Sequence, residues 1–198
     1  MIHDIKKGLF LILMCLFTIS SFADNECNFI LNANGTYTTV DGKDYVIIKE
    51  DSMKAKNLYN KVKANITKMF KNPNLVMSST EPTIIKVRYV DDLAYVGSKS
   101  IMSSLMGDDH YNGYVNLIFE FKDGAMKISA PVVEDKLWNT PVLENQSTTN
   151  MYFSDAIKKY FKKGKRTTNK KKLSRLSTME YAVNSTINQL IDIKSEEW

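Results

Sequence analysis

Two runs of alternating residues, separated by an Asp-Gly pair, constrain the fold of this chain more than any other feature. Residues 115–122 and 125–133 place apolar side chains at every second position on either side of Asp123 and Gly124. Such alternation predicts strands with one buried face, and Asp-Gly between them favours a hairpin with a type I′ turn. Pro131 marks a strand end or edge, because proline cannot donate to a strand ladder. The residues expected to face the core are Val115, Leu117, Phe119, Phe121, Met126, Ile128, Ala130 and Val132.

Further strands are predicted on both sides of this hairpin. A second Asp-Gly pair, at 41–42, lies between the alternating runs 37–40 and 45–50 and predicts another hairpin. Residues 83–90 alternate as a strand, and residues 93–106 predict one more. The aromatic residues on these strands follow the buried period, so we interpret them as core rather than as a platform for stacking a ligand. They are Tyr89, Tyr95, Phe119 and Phe121.

Helical spacing of apolar residues predicts a helix over 58–70. Its start is expected at Asp51 or Ser52, whose side chains can accept amide hydrogen bonds there, and it stops before Pro73. Two more helical stripes, interrupted by 164–169, run over 152–161 and 173–191. These elements predict an α+β fold, an antiparallel sheet of about five strands with helices packed on one face, plus C-terminal helices.

The first residues have the pattern of a cleaved secretory signal peptide. Lys6 and Lys7 precede an apolar stretch over 9–17, which is shorter than the roughly 20 residues that span a membrane. Ser21 and Ala23 place small residues where signal peptidase requires them, so we expect cleavage after Ala23. A retained membrane anchor is the alternative.

Composition divides the chain into four predicted parts. A signal peptide over 1–23 and a flexible N-terminal segment over 24–35 precede an α+β domain over 36–150. A basic, helical segment over 151–198 is expected to pack on this domain or extend it. The net charge is −2 over residues 24–150 and +6 over residues 151–198, so the excess of cations belongs to the last part.

Few residues suited to chemistry remain after the predicted cleavage. Cys27 is then the single thiol and is either free or bridged to another chain, and His110 is the single histidine. Asp91–Asp92 and residues 108–110 (Asp-Asp-His) invite a metal interpretation, but aspartates next to each other are typical of solvated turns. We therefore predict no catalytic residue, no metal site and no cofactor.

A basic run without any acidic residue is the unusual feature of the last quarter. It is interpreted either as a solvated connection between helices or as a contact for an anionic partner, such as lipid head groups or an acidic protein. Its residues are Lys158, Lys159, Lys162, Lys163, Lys165, Arg166, Lys170, Lys171, Lys172 and Arg175.

Three motifs carry a resemblance to a known family. They are the helix LYNKVKANITKMFKNPNLV over 58–76, the turn EFKDG over 120–124 and a closing amphipathic helix followed by Glu196, Glu197 and Trp198. Together they resemble an exported family of Gram-negative, gut-type bacteria, described as a domain of unknown function with a TBP-like fold. The matching helix positions are Leu58, Tyr59, Ile66, Phe70, Asn72, Pro73 and Val76. The resemblance implies a curved antiparallel sheet with helices on one face, and it supplies no catalytic residues.

The leading interpretation is an exported, non-enzymatic envelope protein, periplasmic or secreted, that acts as a binding or assembly module. Its partner would be an unknown envelope protein or an anionic surface, with no transmembrane segment after processing. Binding of an anionic polymer or nucleic acid through the basic segment is one alternative, and a carboxylate-based hydrolase is another. Nucleic acid is disfavoured, since export removes the protein from the chromosome and a TBP saddle needs two repeats.

Overall fold

The computed structural model describes residues 26–91, 93–94, 112–136 and 157–192. The elements in these ranges are strands β1 (Phe29–Leu31), β2 (Tyr37–Thr39) and β3 (Tyr45–Lys49), helices α1 (Ala55–Met69) and α2 (Pro73–Val76), strands β4 (Met77–Thr80), β5 (Ile84–Asp91), β6 (Asn112–Lys122), β7 (Ala125–Ser129), β8 (Val132–Lys136), β9 (Phe161–Lys162) and β10 (Lys165–Arg166), and helix α3 (Lys170–Leu190).

Within the described residues, the main sheet is antiparallel and has six strands. The strand order is β3-β7-β6-β5-β4. Strands β7 and β8 share one edge of β6, where β8 pairs with the first half of β6 and β7 pairs with the second half. One face packs into a core shared with α1 and α3, which confirms the predicted α+β class with helices on one face. The strand predicted over 83–90 is β5, and the one predicted over 93–106 lies almost wholly outside the described residues.

The predicted central hairpin is confirmed as β6 and β7, with Phe119 opposite Ile128 and Phe121 opposite Met126. All four of these side chains are buried. Its turn differs from the prediction, because Gly124 has a φ of 76° but Asp123 does not have the positive φ that a type I′ turn also requires.

The side chain of Asp123 instead caps helix α1. Its Oδ1 accepts the backbone N–H of Ala55 at 2.9 Å, and its Oδ2 lies 3.1 Å from Nζ of Lys54. These bonds lower the pKa of the Asp123 carboxyl, the backbone hydrogen bond from Ala55 most of all. The predicted start at Asp51 or Ser52 was therefore wrong, since Asp123, 68 positions from Ala55 in sequence, satisfies the helix start.

A β-bulge separates β7 from β8. Between the pairs Phe119–Ile128 and Asn116–Val132, two residues of β6 oppose the three residues 129–131. The extra residue shifts the alternation of β8 by one position, so that Val133 faces the core and Val132 faces outward. Val133 is buried, and Val132 is 56% exposed. The prediction that Val132 faces the core was wrong, whereas Pro131 does lie at a strand end.

The N-terminal region forms a separate two-stranded sheet. β1 pairs with β2, whereas β3 pairs with β7, so the hairpin predicted around residues 41–42 does not form. The segment over 24–35 was expected to be flexible. In its described part, however, Cys27, Phe29 and Leu31 are each at most 1% exposed. Burial raises the pKa of the Cys27 thiol to about 12.

The C-terminal region begins with a tight hairpin and ends with the predicted long helix. A helix was predicted over 152–161. Of the residues in this range that the structure describes, only 157 and 158 are helical, and Phe161 belongs to β9. Lys163 and Gly164, with φ angles of 51° and 74°, form the two-residue turn to β10, as a type I′ turn requires. Helix α3 buries the predicted stripe of Leu176, Met179, Val183, Ile187 and Leu190.

Candidate binding surfaces

Most residues of the predicted basic run are exposed on three consecutive segments, which we together call the basic surface. It comprises the turn before β9, the β9–β10 hairpin and the first turns of α3. Ile157 and Tyr160 at its base are each 1% exposed, so the hairpin is anchored in the core. Its cations are exposed, apart from the half-buried Lys159, and they are Lys158, Lys159, Lys162, Lys163, Lys165, Lys170, Lys171, Lys172 and Arg175.

Three of these lysines begin helix α3. The Asn169 side chain accepts the backbone N–H of Lys172 at 3.1 Å and caps the helix. No acidic residue lies in the first turn. A cation at a helix N terminus is disfavoured by the helix dipole, by about 0.3–1 kcal/mol each at exposed positions. The charges of Lys170, Lys171 and Lys172 therefore interact unfavourably with the dipole of α3.

Like charges also converge within the basic surface. The pKa of Lys159 is lowered, first by burial of its ammonium group and then by the nearby charges of Arg175 and Lys172. The turn before β9 and the start of α3 thus bring their cations close enough to repel one another. A bound anion would relieve this repulsion.

Arg166 is the exception among the predicted site residues. Its guanidinium makes an ion pair with both carboxylate oxygens of Glu180, with Nη1 3.1 Å from Oε2, and donates to the backbone O of Leu31 at 3.4 Å. Arg166 therefore holds the β9–β10 hairpin against α3 and β1, and we assign it a structural role instead of a place in the basic surface.

A row of polar side chains on α3 holds the backbone of β1. The amide of Asn184 accepts the N–H of Phe29 at 2.9 Å and donates to its carbonyl O at 2.8 Å. Asn188 makes the same pair of bonds with Cys27, at 2.7 and 3.1 Å. Glu180 accepts the N–H of Leu31 at 2.7 Å, and Arg166 supplies the matching donor. We call the α3 side chains of Glu180, Asn184 and Asn188 the ladder.

The spacing of the ladder explains why a helix can replace a neighbouring strand. Four residues of α-helix advance about 6 Å, and two residues of a strand advance about 6.6 Å. Side chains four positions apart on α3 therefore meet every second residue of the segment 27–31, which contains β1. The other edge of β1 pairs with β2, so both edges of this short strand are satisfied.

A groove of about 910 Å³ borders the ladder. Its walls come from the residues before β1, from the loop between β3 and α1, and from α3, including Tyr181, which is 72% exposed. Among the described residues, its lining includes four carboxylate residues and no lysine, arginine or histidine. The four are Glu26, Glu50, Glu180 and Asp192. Sequence reasoning missed this groove because its walls are distant in the chain.

The outer face of the main sheet has exposed apolar side chains and paired charges. Ile47, Ile118 and Val132 are exposed on it. Arg88 lies 4.3 Å from the ring centre of Tyr114 and pairs with Glu134 at 2.9 Å. On the inner face, Tyr89, Phe119 and Phe121 are buried, as predicted for core aromatics, and Tyr95 lies outside the described residues.

Within the described ranges, no three metal-ligating side chains of the His, Cys, Asp and Glu types come together. Oδ1 of Asp91 accepts the N–H groups of Leu93 and Ala94 at 2.8 and 3.1 Å, which is the turn role predicted for it. Asp92 and residues 108–110 lie outside the described residues. None of the described helices combines the length and the apolar character needed to cross a membrane.

Comparison with known proteins yields one likeness. No family model and no curated protein matches the chain. The chain is similar to a solved structure described as a TBP-like protein from Parabacteroides distasonis ATCC 8503, with a TM-score of 0.43 and 11% identity, over 75% of this chain and 91% of that chain. Membership of the exported family stays a prediction.

Proposed function

We propose that this chain is an exported, non-enzymatic binding protein whose basic surface contacts an anionic partner. The observation that carries the proposal is a set of exposed cations on a hairpin that is anchored in the core, beside Lys159, Lys172 and Arg175, whose like charges interact. A solvated connection would not need a hairpin anchored by Ile157 and Tyr160. Cations held together against repulsion are typical of a surface that is neutralised by a partner.

Removing charge from this surface should abolish binding to anionic probes. The probes are vesicles of phosphatidylglycerol and soluble poly-glutamate, measured by co-sedimentation and by fluorescence anisotropy. Wild-type binding should weaken steeply between low and high salt, since exposed charges act over about 10 Å at 0.1 M salt. The melting temperature should change little, because exposed charges add little stability. The test variant replaces Lys162, Lys163, Lys165 and Lys171 with glutamine.

A matched control removes the same charge elsewhere. Its four lysines are exposed and lie outside the basic surface, so the control should bind almost as wild type does. They are Lys49, Lys71, Lys86 and Lys122. Equal loss in both variants would mean that net charge alone drives binding. Absence of wild-type binding to both probes at low salt would refute the proposed function.

Export is tested separately by the N terminus of the mature protein. The order of Lys6–Lys7, apolar residues and small residues before Ala23 motivates the expectation that the chain begins at Asp24 after processing. N-terminal sequencing of the protein from the periplasm or the medium should therefore start at Asp24. An intact Met1 in a membrane fraction would show a retained anchor instead.

A further inference from the structure

We propose that the cleft between β2 and α3, in which β1 lies, is a strand-binding site that each chain fills with its own residues 27–31 and that accepts the same segment from a second copy. This inference goes beyond the basic surface and does not depend on the partner of that surface. The occupant is identified because this segment lies in the cleft, bonded to the ladder.

The ladder recognises the main chain of its occupant. Asn184 and Asn188 each bond the N–H and the carbonyl O of one residue in the segment 27–31. At a third residue, Glu180 accepts the N–H and Arg166 donates to the carbonyl O. These hydrogen bonds involve no side chain of the segment, so they can form with any extended chain that enters in the same register.

The side chains of the segment supply the selectivity. Cys27, Phe29 and Leu31 are each at most 1% exposed, whereas Asn28, between the first two, is exposed. An occupant must therefore place apolar groups at every second position and can carry polar groups between them. Main-chain hydrogen bonds combined with pockets for alternate side chains are a common way of binding an extended peptide. A second copy brings the one segment that is shown to fit.

The segment can leave without disturbing the main sheet. Among the strands that the structure describes, only β2 pairs with β1, over three residue pairs. The two strands are joined by a short turn, in which the N–H of Asn32 donates to the O of Thr36 at 2.8 Å and the N–H of Gly35 donates to the O of Asn32 at 3.0 Å. Opening this turn frees residues 27–31 to enter a second copy, which is how identical elements are swapped between protomers.

The attached segment has an advantage over a segment from another chain. A short connection gives it an effective concentration on the order of 1 mM, so wild type at micromolar concentration should fill its own cleft and stay monomeric. Exchange is therefore measured with two variants that each weaken one side of the contact. The acceptor, F29A/L31A, keeps the ladder and loses two buried side chains. The donor, N184A/N188A, keeps the segment and loses two amides of the ladder.

Mixing the two variants as full mature chains tests the exchange by analytical ultracentrifugation. A reductant is present throughout, so that Cys27 thiols cannot bridge the copies. Each variant alone should be monomeric at micromolar concentration. An equimolar mixture should form a 1:1 dimer that grows no further, since the acceptor offers one intact cleft and the donor one intact segment. With N28A in place of the acceptor, the mixture should stay monomeric, because Asn28 is exposed and its substitution leaves the cleft filled.

A labelled peptide measures recognition by the cleft directly. Fluorescein-labelled ECNFILN, which is residues 26–32, should bind F29A/L31A in fluorescence anisotropy. Methylation of the Phe29 amide nitrogen removes the N–H that Asn184 accepts and should weaken binding about tenfold or more. Aspartate at positions 29 and 31 of the peptide should abolish binding, because an unpaired charge does not enter an apolar site.

Refolding of wild type provides a second measurement if F29A/L31A unfolds. Wild type diluted from urea with about 1 mM labelled peptide should hold label in about half of its clefts, since the peptide then matches the effective concentration of the attached segment. Gel filtration separates bound from free label. The aspartate peptide should leave no label on the protein.

Each outcome supports or overturns this inference. Peptide binding that depends on the main chain and on the apolar positions, together with the 1:1 mixed dimer, supports it. Absence of label on folded F29A/L31A or on refolded wild type overturns the strand-binding site. Equal binding of the methylated peptide overturns recognition by the ladder, and peptide binding without a mixed dimer overturns exchange between copies. The proposed function is measured with other probes and stands or fails separately.

Discussion

Replacing Phe119 with alanine should lower the free energy of unfolding by about 3–5 kcal/mol, because a buried aromatic ring is lost and a cavity remains. Phe119 is 0% exposed and lies on β6 between Ile85 of β5 and Ile128 of β7. It therefore has neighbours on both sides in the sheet and faces the helix layer. Urea unfolding followed by circular dichroism measures the change.

The neighbouring residue on the same strand is a strict control. Ile118 points to the outer face and is 36% exposed. Ile118→Ala should cost about 0.5 kcal/mol, as substitutions at exposed positions usually do. A cost below about 1 kcal/mol for Phe119→Ala, or equal costs for both variants, would contradict the assignment of the two faces.

Local periodicity was sufficient to predict most of the main sheet and its buried face. The alternation in residues 115–122 fixed which side chains of β6 face the helices, because a period of two allows only two choices. It failed at Val132, since the bulge at 129–131 inserts one residue and nothing in the local pattern marks an insertion. Pro131 indicated an interruption without giving its register.

Contacts between distant segments are what the sequence could not supply. Asp123 was recognised as a turn residue, and its second role as the cap of α1 depends on how the hairpin packs against the helix. Cys27 was expected near a frayed end, because its partner Asn188 is 161 positions away. The sequence did contain one signal of this contact. Glu180, Asn184 and Asn188 are four positions apart, which places three polar side chains in one row of α3.

The candidate site could likewise be predicted only in part from the sequence. The sequence identified the exposed lysines of the basic surface, because a run without acidic residues is visible in any conformation. It could not separate Arg166 from them, since Glu180 reaches Arg166 only when α3 folds back beside the hairpin. The groove was invisible for the same reason, because its walls are three segments distant in the chain.

The double variant N184A/N188A should lower the free energy of unfolding by about 2–5 kcal/mol. It removes the four hydrogen bonds, of 2.7–3.1 Å, that these amides make with the backbone of Cys27 and Phe29. A buried backbone group without a partner costs about 1–3 kcal/mol, and water entering from the groove reduces that cost here. Gln189→Ala, at an exposed position of the same helix, is the control and should change stability little.

Cys27 reports whether this loss is local to β1. Burial raises its pKa to about 12, above the roughly 8.5 of an exposed thiol, so its contribution to stability is present below pH 8.5 and declines at higher pH. At pH 7.5, a thiol reagent should therefore label native wild type slowly. N184A/N188A should be labelled much faster in urea too dilute to unfold the main sheet, because β1 pairs only with β2 in its own small sheet and is expected to open before the main sheet does. Labelling as slow as in wild type, with unchanged unfolding, would mean that burial of Phe29 and Leu31 holds β1 in place and that the ladder adds only orientation.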